Sequence, residues 1–134
     1  MKVSPYLHFN GNCAEAIALY EKAFGAKAEI VRYGETPPSA GYTVPAGTEN
    51  NIMHAAIGAG DGVIFLCDVP PGSKAEIGDA MTVMIILESI EEVKAAFDIL
   101  KQGGNVGMEL QETFWTKCFG SLNDKFGIPW MLSV

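Results

Sequence analysis

The stretch SPYLHFNGNCAEAIALYEKAFGA, residues 4–26, decides the fold. Its opening alternates. Leu7 and Phe9 fall on one face of a strand over residues 3–9, and Ser4, Tyr6 and His8 fall on the other. Pro5 removes one ladder donor, which suits an edge or a strand start. Asn10-Gly11-Asn12 breaks the strand. Asn12 is placed to cap a helix, with Glu15 three residues on in the capping-box position. Ile17, Tyr20 and Phe24, with Ala16 and Ala23, give that helix an apolar stripe at the 3.6-residue period, and Gly25 stops it.

The same order restarts further on. Residues 81–87 read as a strand, Ser89 as a cap with Glu92 in the capping-box position, and Val93, Ala96, Phe97 and Leu100 as the stripe of a second helix stopped by Gly103-Gly104. The two caps lie 77 positions apart. A strand and a hairpin follow each helix. In the first half these are residues 26–34, then 52–57 and 63–68 around Gly58-Ala59-Gly60-Asp61-Gly62. In the second half they are residues 106–114, then a C-terminal hairpin turning at residues 123–127. Residues 35–51 hold three prolines and two glycines without periodicity and read as a long lid-like loop, and residues 69–79 read as a linker. Strand, capped helix, glycine stop, strand, hairpin thus occurs twice, an internal duplication of pattern.

A β-α-β-β-β unit covers one face of its sheet with its helix and leaves the other concave. Pairing two such units is expected to enclose a shared cavity in a single α+β domain over residues 1–134, with modules at about 1–70 and 79–134. Parity points Ser4, Tyr6, His8, Phe65 and Cys67 of the first half at that cavity, and Thr82, Met84, Ile86, Met131 and Ser133 of the second.

Composition bounds the function. At 134 residues the chain is long enough to bury roughly two thirds of its unfolded surface without staples. A net charge of −7 speaks against nucleic acid and against an anionic membrane, both of which need a basic face. Cys13, Cys67 and Cys118 are odd in number and lack CxxC spacing, so no disulfide framework is expected and a cytoplasmic location is. Neither a signal-peptide core nor an apolar run of membrane-spanning length is present in the sequence.

Three motifs, SPYLHFNGNCAEAIALYEKAFGA, MHAAIGAGDGVIFLCDVPPG and QETFWTKCFGSLNDKFGIPWM, make the chain resemble the vicinal oxygen chelate superfamily, and within it the PhnB-like branch. The last, at residues 111–131, is the most specific. The superfamily includes glyoxalase I, extradiol dioxygenases and bleomycin-resistance proteins, so the resemblance implies paired βαβββ modules, a cavity, and commonly a homodimer. Some members of the branch carry a demethylubiquinone methyltransferase label, but no glycine-rich strand-to-helix turn of the kind that holds a nucleotide-like cofactor occurs here. Metal-dependent relatives take four ligands from equivalent strands. Those positions fall at Ser4 or Pro5, Phe65, Thr82 and Met131, none of them a histidine or carboxylate. The resemblance therefore implies the fold and the cavity and no metal.

Candidate chemistry is sparse. His8 and His54, the only histidines, are candidates for a base or a ligand anchor. A strand histidine bonded to neighbouring backbone is the alternative, and the face of His54 stays open. Glu112 beside Trp115 suits the end of a pocket, or else a surface acid and a packed ring. Cys67 is expected to behave as a small buried hydrophobe, Cys118 likewise, and Asp124 with Gly127 as a turn. The expected function is binding of a small, partly apolar molecule by Tyr6, His8, Phe65, Cys67, Thr82, Met84, Trp115 and Met131 without a cofactor. The alternative is a lyase, isomerase or dioxygenase of the glyoxalase type, working with a divalent metal held elsewhere or with His8 as base.

Overall fold

The two halves form one element series twice. In the computed structural model β1 (Tyr6–Phe9), α1 (Cys13–Phe24), β2 (Ala28–Arg32), β3 (Ile52–Ala59) and β4 (Gly62–Asp68) are followed by β5 (Val83–Ile86), α2 (Ile90–Leu100), β6 (Asn105–Gln111), β7 (Phe119–Asn123) and β8 (Pro129–Ser133). The described residues are 1–37, 41 and 43–134, so part of the stretch read as lid-like lies outside them. The strand orders are β1-β4-β3-β2 and β5-β8-β7-β6. In each sheet the first strand runs parallel to the last and the other pairings are antiparallel. The duplication read from two helix caps is thus a duplication of hydrogen-bond connectivity. Contacts group the chain into two compact units, residues 1–21 with 26–75, and residues 22–25 with 76–134.

α2 buries the stripe its sequence sets out, and α1 buries Ala16, Ile17 and Tyr20 of its own while Ala23 and Phe24 stay half-buried. On α1 the buried residues are Cys13, Ala16, Ile17 and Tyr20, and on α2 they are Val93, Ala96, Phe97 and Leu100. Each large apolar side chain so buried contributes about 1.5–3 kcal/mol before entropy is charged. The first sheet offers one wholly apolar cross-strand row, Leu7-Leu66-Ala55-Ile30. In the second sheet Gly120 of β7 lets α2 approach closely. A Cβ there would stand 2.9 Å from the Phe97 ring and 2.7 Å from Leu110.

The helix starts differ. At α2 the Ser89 hydroxyl accepts from Glu92 N–H at 3.1 Å, while the Glu92 carboxylate reaches back to Glu88 N–H at 3.0 Å rather than to the cap residue itself. Ser89→Ala is expected to cost about 1 kcal/mol, a fall of about 4 °C in a thermal melt. An unchanged melting point would show that the cap carries no stability. At α1 the Asn12 carbonyl accepts from Ala16 N–H, and the entering backbone is held by Asp68 of β4, whose Oδ1 accepts from Gly11 and Cys13 N–H.

Four expected strands are shorter than the sequence suggests: β1 starts at Tyr6 rather than 3, which leaves Ser4 ahead of it, and β2 spans Ala28–Arg32 rather than 26–34. β6 ends at Gln111, not 114, because Thr113 and Thr116 close a turn in which each backbone N–H is taken by the other residue. Glu112 and Trp115 therefore lie past the strand. β5 starts at Val83, which leaves Thr82 exposed ahead of it.

Candidate functional site

Alternation leaves one face of the first sheet without the helix-side apolar row, and the two histidines of the chain meet there. Register pairs Tyr6 with Phe65 and His8 with Cys67. Their neighbours Leu7 and Phe9 take the opposite, more buried face. His54 joins the same group from β3. Its ring lies 5.4 Å from Phe65 and 5.9 Å from Tyr6, centroid to centroid. Tyr6 stands between the two imidazoles, 5.2 Å from that of His8 and 5.7 Å from Phe65.

Hydrogen bonds tie the cluster together. The Tyr6 hydroxyl lies 2.9 Å from His54 Nδ1, and Cys67 Sγ lies 3.8 Å from His8 Nδ1. Tyr6 is 43% exposed and Cys67 8%, so the cluster has a wet rim and a dry floor. Burial pushes the Tyr6 hydroxyl up, with the nearby Cys67 adding to it. Burial also pushes the Cys67 thiol up, the Tyr6 hydroxyl opposing and the Asp68 carboxylate reinforcing. The net direction is away from the lowered thiol pKa that an activated nucleophile requires. Cys67 is also a hydrogen-bonding partner of His8, a contact that a separation of 59 positions hides from the sequence.

The floor beneath is fixed by Asp68, the last residue of β4. Its Oδ1 accepts from Gly11 and Cys13 N–H at 2.9 and 3.0 Å, its Oδ2 accepts from Ile52 N–H at 2.9 Å, and its carbonyl takes the Tyr33 hydroxyl at 2.9 Å. One buried side chain thereby joins the end of β1, the start of α1 and the start of β3. No expectation from the sequence included this residue.

The second unit places its own candidates. Met84, Met131, Ser121 and Met108 form one cross-strand row over β5, β8, β7 and β6. Thr82 is exposed, as is Glu112. Trp115 is 56% exposed and packs edge-on against Phe114 and Phe119. Cys118 is buried. Asp124 forms the expected turn. Its Oδ1 accepts from Phe126 and Ile128 N–H, and its Oδ2 takes the Trp130 indole N–H at 2.9 Å. Trp130 in turn packs on Phe24 at 5.4 Å.

The resemblance equates Ser4 or Pro5, Phe65, Thr82 and Met131 with the ligand positions of metal-using relatives. Ser4 precedes β1, Phe65 stacks in the aromatic cluster, Thr82 precedes β5 and Met131 pairs with Met84. Among the described residues no group of three or more His, Cys, Asp or Glu side chains stands where it could hold a metal ion. Among the same residues no helix is long and apolar enough to cross a membrane.

Two βαβββ modules of identical connectivity define a glyoxalase-like α+β protein. The chain belongs to the glyoxalase/bleomycin resistance protein/dioxygenase superfamily, whose family model matches residues 2–132. It is 38% identical to protein YjdN of Escherichia coli K12 over 141 residues, covering all of this chain and 95% of that one. Among solved structures it is similar to protein PA1353 from Pseudomonas aeruginosa, with 33% identity, a TM-score of 0.86, and coverage of 99% of this chain and 96% of that one. It is also similar to a Bacillus cereus PhnB protein described as a putative 3-demethylubiquinone-9 3-methyltransferase, with 30% identity, a TM-score of 0.75, and coverage of 99% and 98%.

Proposed function

We propose that this chain is a small-molecule-binding protein whose ligand sits on the open face of the first sheet, without the superfamily's metal centre. The observation that supports this is the convergence of Tyr6, His8, His54, Phe65 and Cys67. The Tyr6 ring stands among those of His8, His54 and Phe65, with a buried thiol at the floor. A few hydrogen-bonding groups set among apolar surface are the usual lining of a ligand site. The methyltransferase description of the Bacillus cereus protein is not carried over. Each sheet here has a single parallel pair, whereas a nucleotide-like cofactor is ordinarily held by a multi-stranded parallel sheet with a glycine-rich turn.

A ligand-observed NMR screen with small aromatic and aliphatic compounds, followed by amide shift mapping, tests the proposal. Hits are expected to centre on Tyr6, His8, His54, Phe65 and Cys67 and to weaken by about tenfold in Phe65→Ala, the loss of one stacked ring. Hits that map elsewhere, or that bind Phe65→Ala unchanged, would count against it.

A further inference from the structure

Both imidazoles spend Nδ1 on a group with a proton to give. The Tyr6 hydroxyl meets His54 Nδ1 at 2.9 Å, and the Cys67 thiol meets His8 Nδ1 at 3.8 Å. A phenol and a thiol each carry one donor, and an imidazole nitrogen without a proton can accept it. Burial raises both Tyr6 and Cys67, so both keep their protons at neutral pH. A neutral imidazole that accepts at Nδ1 carries its own proton at Nε2. Among the described residues neither Nε2 has a protein partner.

We propose that the open face presents two tautomer-fixed donors, the Nε2–H groups of His8 and His54, beside the Tyr6 and Phe65 rings, and that its ligand is a neutral carbonyl compound with an aromatic or apolar body. This rests on the ligand-binding function proposed above and specifies its ligand class. Tyr6 and Cys67 act in it as positioning residues, since each works through the histidine it faces. Two donors select for an acceptor, because a ligand without one leaves two N–H groups to be desolvated unpaired. The charge of the face selects a neutral acceptor over an anionic one. No lysine or arginine occupies positions 4, 6, 8, 54, 56, 63, 65 or 67, and the cross-strand row Tyr6-Phe65-Ala56-Glu29 ends in a carboxylate. A carboxylate ligand would lose its hydration and find no lysine or arginine at those positions. An amine would set donor against donor.

Two measurements on the full chain test this. Long-range proton–nitrogen spectra at pH 8 report the tautomers directly. His8 and His54 are expected each to show a single form protonated at Nε2. Tyr6→Phe is expected to turn His54 alone into a mixture, and Cys67→Ala to do so for His8 alone. A proton on Nδ1 of either ring overturns the proposal, as does a variant that leaves its histidine's signals unchanged. A merely structural role for Tyr6 or Cys67 would move no tautomer.

Titration with four probes of one shape reads the ligand class. Acetophenone is expected to bind this face about tenfold more tightly than ethylbenzene, benzoate or benzylamine, the worth of one matched hydrogen bond. Tyr6→Phe, which keeps the ring, is expected to shrink that advantage by weakening acetophenone more than ethylbenzene. If ethylbenzene binds here as well as acetophenone, the donor assignment falls and the binding function stands. If benzoate binds most tightly, the neutral class is wrong. If none of the four perturbs this face, the binding function falls and the ligand class with it.

Discussion

Asp68→Ala is expected to lower stability by about 4 kcal/mol, a fall of more than about 10 °C in melting temperature. The residue is 1% exposed and its two carboxylate oxygens accept three backbone N–H groups, from Gly11, Cys13 and Ile52. Alanine leaves all three donors with no acceptor, two of them buried from water and the third, Gly11 N–H, at an exposed residue. Each such orphan costs about 1–3 kcal/mol, partly recovered if the site relaxes enough to admit water. Asparagine separates charge from geometry. One amide oxygen can still serve Gly11 and Cys13, but the amide nitrogen then points an N–H at the Ile52 N–H. Asp68→Asn should therefore lose about half as much as Asp68→Ala. The readout is chemical denaturation followed by circular dichroism. A loss under about 1 kcal/mol in the alanine variant would mean that the three N–H groups find water or other partners, and that this carboxylate does not clamp the unit.

The second largest effect is expected at Asp124, at about 3 kcal/mol for Asp124→Ala. Here too one oxygen takes two backbone donors, Phe126 and Ile128 N–H, and the other takes a third, the Trp130 indole N–H. The side chain is 3% exposed and Trp130 is fully buried, so the indole bond is shielded from water. A cycle isolates the side-chain bond. Asp124→Asn opposes its amide N–H to the indole N–H, and Trp130→Phe removes the indole donor. The double variant should be less destabilised than the sum of the two singles by about 1 kcal/mol or more. Strict additivity would sink the claim that the indole bond matters. It would leave the ring's packing on Phe24 as what makes Trp130 costly to lose.

These two carboxylates also mark what the sequence could not disclose. The caps, the glycine stops and the apolar stripes are local signals, so both helices and the repeated series were legible, and parity over the short first strand put Tyr6 and His8 on one face with Phe65 and Cys67. Parity failed at His54 for a physical reason. Ile52, Ala55 and Ile57 are all fully buried, so counting from Ile52 puts His54 with the helix side and counting from Ile57 puts it on the open side. A register shift between Val31 and Arg32 is what breaks the alternation. Asp68 ends an apolar run and reads as mere strand termination, and its partners lie 57, 55 and 16 residues away. Glu112 and Trp115 misled in the opposite direction. An aromatic beside an acid looks like a pocket rim, but the Thr113–Thr116 turn sets both beyond the sheet.

The parallel pairing of β1 with β4 has a consequence for the order in which the chain can mature. Tyr6 meets Phe65, and the intervening strands β3 and β2 attach only on the far side of β4. As synthesis proceeds from the N-terminus, β1 emerges with no strand to receive it and waits until β4 has been made. Closing so long a loop is an entropic cost met only once the last strand arrives, which favours slow, late consolidation over stepwise growth. The cluster of Tyr6, His8, Phe65 and Cys67 straddles that seam, so it should be among the last features of the first unit to form and among the first exposed when β1 lets go.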